Sequence, residues 1–410
     1  MDVLNQDCVL YIILLFLWLE YLWEIYLAIR QYNVTKKTVN VPTDLSSVMT
    51  KDTFDKARLY SMDKNKYGIV NDTFTIFVST LVIYYGLLAR VWKYSESINP
   101  WEGEVSISSI WIFLLMTMTT IINLPLAVYY TFVLEEKYGF NKQTARFFII
   151  DKIKAFVLNQ VIVLPMSALT IVIVKYGGDL FFVWLWMVIG IFMLILLTIY
   201  PSYIAPLFDK YTPLPEAQLY VVEGSKRSAH SNAYFYGLFK SKRIVLFDTL
   251  LKNPDSGGCK NDEILAVLSH ELGHWSHGHI IKNLIIMQVN LFFIFAAFSF
   301  LFKFSPLYQA VGFPVGVEPV LVGLMVVMQY VMMPYNALLS FILTCLSRKF
   351  EFQADEFAMK LGRAEPLKRA LIQLNKDNLG FPIYDTLYSM WHHSHPPLLE
   401  RIAALKPKKD

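Results

Sequence analysis

The sequence predicts a polytopic α-helical membrane protein that carries a small α+β domain. Of its 410 residues, 55% are hydrophobic and only 17% carry charged side chains, a balance that argues against an ordinary soluble chain. Long apolar runs recur along most of the sequence, and between residues 201 and 258 they give way to short β-rich segments. We therefore expect a membrane-spanning part combined with a domain outside the bilayer.

Seven apolar runs are candidates to cross a hydrocarbon core of about 30 Å. They cover residues 9–29, 74–89, 107–134, 156–174, 181–200, 284–302 and 320–346. The first has no lysine or arginine before it and no small-residue cleavage pattern after it, so it reads as a retained anchor rather than a cleaved signal peptide. It also contains Glu20 and Glu24, and carboxylates at that depth should face protein or a watery cavity.

The polar stretches between these runs predict the topology. Residues 30–73, 135–155, 201–280 and 347–410 hold 32 of the 37 lysines and arginines. By the positive-inside rule these four segments are cytosolic and the N-terminus is lumenal. Within the first segment we expect turns at Pro42 and Gly68.

The segment 201–258 is expected to form a small sheet. Residues 219–222 and 243–247 are β-rich, and 233–236 between them could form a third strand. This sheet leads into the stretch N-D-E-I-L-A-V-L-S-H-E-L-G-H-W-S-H-G-H, residues 261–279.

That stretch contains the strongest chemical signal in the chain. Asn261 is a candidate helix cap, and His270 and His274 would project together one turn apart, where they can share a metal ion. Glu271 is placed to act on a water molecule rather than to bind the metal. Random placement of residues would give about 0.01 such H-E-x-x-H matches in a chain of this composition. We interpret His277, His279, His392 and His393 as solvated or structural.

A hydrolytic zinc site needs three protein ligands and an open fourth position. The three cysteines form no C-x-x-C pair, so we expect nitrogen and oxygen ligands. After the seventh run, Glu351 and Asp355 lie on one helical face at i, i+4. We predict Glu351 as the third ligand and Asp355 as an acceptor for the free ring N–H of a ligating histidine.

Four motifs together resemble the CAAX prenyl protease 1 family of membrane zinc endopeptidases. They are H-S-N-A-Y-F-Y-G (230–237), H-E-L-G-H-W (270–275), E-F-Q-A-D (351–355) and S-H-P-P-L-L-E-R (394–401). The resemblance implies seven helices around an intramembrane chamber, with a gluzincin-like α+β zinc domain on the cytosolic side. The ten residues 251–260 are shorter than the polar insertion that family members often carry there.

The resemblance also divides the chain into four parts. Residues 1–200 would hold five spans and their loops, and 283–346 the other two spans. Residues 201–282 and 347–410 would together form the zinc peptidase domain.

The resemblance implies roles for individual residues. His270, His274 and Glu351 would hold one zinc ion, and Glu271 would be the general base. Three further residues receive roles: Asn232 would lie beside an edge strand that pairs with the substrate backbone, His395 would stabilise the oxyanion, and Arg401 would pair with a site carboxylate such as Asp355.

The implied reaction is removal of the last three residues of a prenylated C-a-a-X protein, with a second upstream cut in some family members. The implied partners are prenylated proteins and the lipid bilayer, and no nucleic-acid partner is expected. Lys406 and Lys408 resemble a dilysine signal for the endoplasmic reticulum membrane, with the inner nuclear membrane as a further location. The alternatives are a heat-shock-type membrane protease, a site-two protease, whose L-D-G motif is absent, and a transporter or scaffold.

Overall fold

The computed structural model describes residues 5–214, 219–237, 243–251 and 257–406. The helices are α1 (Gln6–Lys37), α2 (Lys51–Tyr84), α3 (Leu87–Ile98), α4 (Glu104–Tyr129), α5 (Ala145–Tyr176), α6 (Phe181–Ile199), α7 (Asn261–Ser276), α8 (His279–Leu301), α9 (Ser305–Ala310), α10 (Val320–Val326), α11 (Met333–Lys360), α12 (Ala364–Asp377), α13 (Thr386–His392) and α14 (Leu398–Ala404). The strands are β1 (Tyr211–Pro213), β2 (Leu219–Val222), β3 (Ala233–Tyr236) and β4 (Arg243–Phe247).

The chain is a multi-span membrane protein. Within the described ranges, six helices are long and apolar enough to cross a bilayer, and a seventh span results if the pair Val320–Val331 and Met333–Lys360 counts as one. That pair is bent by 59°. The bend falls where a π-helical turn ends and Pro334 begins the first turn of α11, because proline suits a helix start and disrupts a helix interior.

The second span differs from its prediction. Helix α2 begins at Lys51, with the Thr50 hydroxyl accepting from the Thr53 amide at 3.2 Å, and it ends at Tyr84 instead of running from 74 to 89. The expected turn at Gly68 is wrong, because this glycine lies inside α2, where it costs only about 1 kcal/mol of helix stability. The break comes at Gly86, whose φ of 57° permits the turn into α3.

The predicted strands are present, and together with β1 they form a mixed sheet of order β1-β2-β4-β3. Strand β1 was not predicted, because it has only three residues and ends in proline. Strands β2 and β4 are parallel, whereas β3 pairs antiparallel with β4. Strand β3 is therefore at one edge of the described sheet, with its outer side available for pairing.

Apolar packing joins this sheet to helices α7 and α12. Buried Leu246, Leu250, Val267 and Ala370 form one cluster that links β4 to α7 and α12. A second cluster joins the start of α2 to the end of the chain through Phe54, Phe381, Leu398 and Ile402. The C-terminal segment is thus held against both the membrane helices and α7.

Candidate metal centre and active site

Helix α7 carries the paired histidines. It begins one residue earlier than the sequence suggests: Lys260, not Asn261, is the N-cap residue, and the Glu263 carboxylate accepts from the Lys260 amide at 2.9 Å. Glutamate at the third helical position satisfies a free N–H at this end of the helix. His270 and His274 follow at adjacent turns, and their Nε2 atoms lie 3.2 Å apart.

The glycine of H-E-L-G-H brings the predicted third ligand, Glu351, within reach of the two histidines. A Cβ atom placed on Gly273 would lie 2.9 Å from the Cα and 3.0 Å from the carbonyl oxygen of Ala354. Only a residue without a side chain lets the backbones of α7 and α11 approach this closely. Ala354 lies within the same helical turn as Glu351, so this contact sets how far Glu351 stands from the two histidines.

The predicted ligands His270, His274 and Glu351 meet at one point. Glu351 Oε2 is 3.5 Å from His270 Nε2, and Glu351 Oε1 is 3.3 Å from His274 Nε2. Each residue has one ligand atom in a set whose members all lie within 4.8 Å of one another. Two helices that are distant in sequence therefore supply a compact set of nitrogen and oxygen donors.

These distances fit a tetrahedral metal ion. Bonds of about 2.0–2.1 Å at tetrahedral angles separate neighbouring donor atoms by about 3.3–3.4 Å, close to the distance between the two Nε2 atoms and to the distance from each of them to one oxygen of Glu351. Glu351 is only 5% exposed, and its Oε2 lies 3.0 Å from His395 Nδ1 and 3.4 Å from Arg401 Nη1, although neither contact has hydrogen-bond geometry. A buried carboxylate oxygen needs a compensating cation or donor, so the residues present suit a metal ion.

Asp355 and Arg401 contact two of the three predicted ligands, His270 and Glu351. Asp355 Oδ1 lies 2.9 Å from His270 Nδ1, so Asp355 can accept that N–H and leave Nε2 free to bind. Arg401 donates to Asp355 at 2.6 and 2.8 Å, and its Nη1 lies 3.4 Å from Glu351 Oε2. One buried cation therefore serves two buried carboxylates.

The surroundings of α7 favour positive charge at His270 and make the Glu271 carboxylate more basic. Burial alone would lower the pKa of His270, but hydrogen bonds to Asp355 and Glu351 raise it to about 9. Burial raises the pKa of Glu271, against the opposing effect of His270 and His274. A carboxylate with a raised pKa accepts a proton more readily, which is what a general base requires.

His395 and Asn232 are both exposed. The His395 side chain is 71% exposed, and its Nδ1 lies 3.0 Å from Glu351 Oε2. Asn232 immediately precedes β3, and its side-chain oxygen accepts from the Ala233 amide at 2.8 Å. The ring of Phe235 on β3 stacks on Trp275 of α7 at 5.7 Å, which holds this edge strand beside the metal helix.

Sequence reasoning missed two groups that support the site. His279, interpreted only as solvated or structural, is 3% exposed and contacts His274. His230, quoted only within a motif, lies 3.0 Å from Glu135 Oε2 and stacks on Phe140 at 3.8 Å. Both are tertiary contacts: the sequence signal for His279 was the concentration of histidines between residues 270 and 279, and that for His230 was its place in the motif H-S-N-A-Y-F-Y-G.

Glu24 also faces protein, as expected for a carboxylate inside the first span. It accepts from Trp391 Nε1 at 2.8 Å and lies 3.2 Å from His392 Nε2. It lines a polar cavity of about 320 Å³ between α1, α2 and the C-terminal segment. Glu20, one turn earlier, is exposed.

Two family models cover most of the chain. Residues 31–210 match the CAAX prenyl protease N-terminal model, described as five membrane helices, and residues 205–409 match peptidase family M48. The fold and the ligand set define a membrane-spanning metallopeptidase of the H-E-x-x-H type.

Individual relatives agree over nearly the whole length. The human CAAX prenyl protease 1 homolog is 47% identical, covering 97% of this chain and 95% of the human protein. The Saccharomyces cerevisiae CAAX prenyl protease 1 is 36% identical, covering 94% and 92%. The crystal structure of S. mikatae Ste24p superposes with a TM-score of 0.88 at 36% identity, covering 97% and 99%. The chain belongs to the CAAX prenyl protease 1 family of M48 metallopeptidases.

Proposed function

We propose that this chain is a zinc endopeptidase that removes the C-terminal aaX tripeptide from prenylated CaaX proteins. A second, upstream cut in the same precursor is a further reaction proposed for it, because some members of the family make one. The observation that carries the proposal is the convergence of His270, His274 and Glu351 on one point in a chain of this family. Family membership favours this function over a heat-shock-type protease and over a transporter or scaffold.

The chain's own residues supply the proton transfers. When bound, zinc would polarise the scissile carbonyl and lower the pKa of a water molecule. Glu271 accepts a proton from that water as its oxygen bonds to the carbonyl carbon. The same carboxyl group returns the proton to the leaving nitrogen as the C–N bond breaks. The exposed ring of His395 can donate a hydrogen bond to the negative charge that develops on the carbonyl oxygen.

Two features support a lipid-modified peptide as substrate. The free side of β3 can pair with an extended peptide backbone, which suits substrates of varied sequence, and Asn232 stands at the start of that strand. A largely apolar cavity of about 990 Å³ lies between α2, α4, α5 and α10. Its size falls within the rough range of 300–1,000 Å³ for ligand sites, and its lining suits a prenyl chain.

The charge distribution supports a cytosolic active site. The four segments rich in lysine and arginine include α7 and the C-terminal part of the chain, so the positive-inside rule puts the site in the cytosol and the N-terminus in the lumen. The endoplasmic reticulum membrane, or the inner nuclear membrane, is the proposed location. Of the two lysines in the dilysine pattern, Lys408 lies outside the described residues.

The test is cleavage of matched peptides by the purified chain in detergent or liposomes. We expect cleavage of a farnesylated CaaX peptide, weaker cleavage of its unprenylated counterpart, and loss of activity with a zinc chelator. Glu271→Gln should retain zinc and lose activity by about 10²–10⁴-fold. Glu365→Gln removes an exposed carboxylate on α12 and should behave like the wild type. Chelator-resistant cleavage, or full activity of Glu271→Gln, would contradict the proposal.

A further inference from the structure

The junction between α7 and α8 brings a second buried histidine against a proposed metal ligand. Helix α7 ends at Ser276, and Gly278 adopts a left-handed φ of 63°, so that α8 starts at His279. Nδ1 of His279 then lies 2.9 Å from Nδ1 of His274. On its other side, Nε2 of His279 lies 3.0 Å from Oε1 of Gln353 on α11.

Metal binding selects one arrangement of protons along these contacts. His274 faces Glu351 and His270 through Nε2, so a metal there requires the Nε2 lone pair and leaves the proton on Nδ1. That N–H needs an acceptor, and Nδ1 of His279 is the atom in place. A neutral His279 then carries its proton on Nε2, which donates to the Gln353 carbonyl oxygen. The ring N–H groups of His274 and His279 then each face an acceptor.

The surroundings hold the His279 ring in this orientation. The residue is 3% exposed, and its ring stacks at 4.0 Å on Phe350, which immediately precedes Glu351. A buried ring fixed on its face and at both nitrogens has little freedom to rotate. The two ligating histidines consequently differ: Asp355 gives His270 an anionic partner, whereas His274 has a neutral one.

We propose that His279, oriented by Gln353, is a positioning residue that fixes the tautomer and ring orientation of His274 for zinc binding. The inference rests on the proposed zinc site and adds to it residues that do not touch the metal. Partners of this kind typically change metal affinity by about 10–100-fold. Because His279 holds a ligand and does not contact substrate, metal affinity should respond more directly than the Michaelis constant.

The test measures zinc affinity of the full chain by competition with a chromophoric chelator, together with the visible spectrum of the cobalt-substituted protein. His279→Phe keeps an aromatic ring against Phe350 but removes both nitrogens, and we expect about 10–100-fold weaker zinc binding and an altered cobalt spectrum. His279→Asn places an acceptor oxygen near the former Nδ1 and should recover most of the loss. His277→Phe is the matched control: it keeps a ring against His279, on which His277 stacks at 5.5 Å, and it removes a nitrogen whose contact is the Gly273 carbonyl, at 2.9 Å.

A second pair of variants keeps the test decisive if His279→Phe does not fold. Gln353→Leu should weaken zinc binding, whereas Gln353→Glu retains an acceptor and should hold zinc at least as well as the wild type. If folded His279→Phe or Gln353→Leu keeps wild-type zinc affinity and an unchanged cobalt spectrum, the inference about His279 is overturned, but the proposed function is not. A wild-type chain that binds no zinc would overturn the proposed function as well.

Discussion

Arg401 makes a two-point hydrogen bond to Asp355, with Nε 2.8 Å from Oδ2 and Nη2 2.6 Å from Oδ1. Both residues are buried, and they come from α14 and α11. The planar guanidinium matches the carboxylate in a way that a lysine cannot. The pair joins the end of the chain to the helix that carries Glu351, so the C-terminal segment forms part of the site.

Replacing Arg401 should lower the stability of the folded protein more than it lowers catalytic activity. Arg401→Leu leaves Asp355 buried without its cation, and breaking such a buried pair costs about 3–5 kcal/mol. We expect a lower melting temperature, with a larger loss in zinc-free protein, because a bound cation would compensate part of the negative charge. Arg401→Lys should fall between Arg401→Leu and the wild type. Thermal unfolding with and without zinc measures this, and a wild-type melting temperature for Arg401→Leu would contradict it.

Gly273→Ala should impair zinc binding without removing any ligand. The added methyl group would meet the backbone of Ala354 at 2.9–3.0 Å, so α7 and α11 must separate and Glu351 must move away from the histidines. Ligand distances matter to within a few tenths of an ångström. We expect zinc affinity and activity to fall at least tenfold, as measured by metal competition and peptide cleavage.

Gly68→Ala is the matched control for that substitution. Gly68 lies inside α2, and a Cβ atom there would meet nothing within 4 Å. Alanine is favoured over glycine in a helix by about 1 kcal/mol, so this variant should be as stable as the wild type or more so, with unchanged zinc affinity. Equal zinc affinity in the two alanine variants would show that close helix packing does not set the ligand distances.

Helical spacing explains why much of the site could be predicted. His270 with His274 and Glu351 with Asp355 are i, i+4 pairs, so local periodicity alone puts each pair on one face. The contact between His274 and His279 crosses a helix break at Gly278, where that periodicity ends. His230 and Glu135 are brought together only by tertiary packing, which a single sequence does not encode in any spacing.

The boundaries of the spans were less predictable for a similar reason. Hydropathy detects the apolar half of α2 but not its polar first half, which is helical because it is capped and packed, as at Phe54. The 59° bend after Val331 depends on a π-helical turn. Hydrogen-bond register of this kind has no hydropathy signal.

Asn378→Ala should weaken peptide binding while leaving zinc in place. Its side chain accepts from the Ser231 amide at 2.9 Å and donates to the Ser231 carbonyl at 2.9 Å, directly before Asn232 and the edge strand. Loss of both bonds would free the start of β3, and a cost of about 1.4 kcal/mol would lower kcat/KM about tenfold. Steady-state kinetics should show the change mainly in KM.

Asn378→Asp separates the two hydrogen bonds. It keeps an acceptor for the Ser231 amide but loses the donor to the Ser231 carbonyl, so its kcat/KM should be no higher than that of the wild type and above that of Asn378→Ala. Zinc content measured on the same samples distinguishes this effect from damage to the metal site. An unchanged KM in Asn378→Ala would argue against a role for the edge strand in substrate binding.

The contact between Arg30 and Asp385 should make stability depend on pH in the acid range. Asp385 accepts from Arg30 at 3.0 and 3.1 Å, and chiefly this hydrogen bonding lowers the pKa of Asp385 below its usual value of 3.8. A carboxylate whose pKa is lower in the folded state adds stability above its unfolded pKa. That contribution is lost as the pH falls through the folded pKa.

Asp385→Asn removes the charge and keeps the helix cap. Asp385 caps α13 by accepting from the Tyr388 amide at 3.0 Å, and asparagine caps a helix equally well. We expect Asp385→Asn to melt below the wild type at neutral pH, and the difference to disappear once the pH falls below the folded pKa of Asp385. Asp44→Asn, at an exposed position, should show no such difference. The pair ties α1 to the segment that precedes His395. A melting-temperature difference between Asp385→Asn and the wild type that persisted at every pH would assign the stabilisation to packing and not to charge.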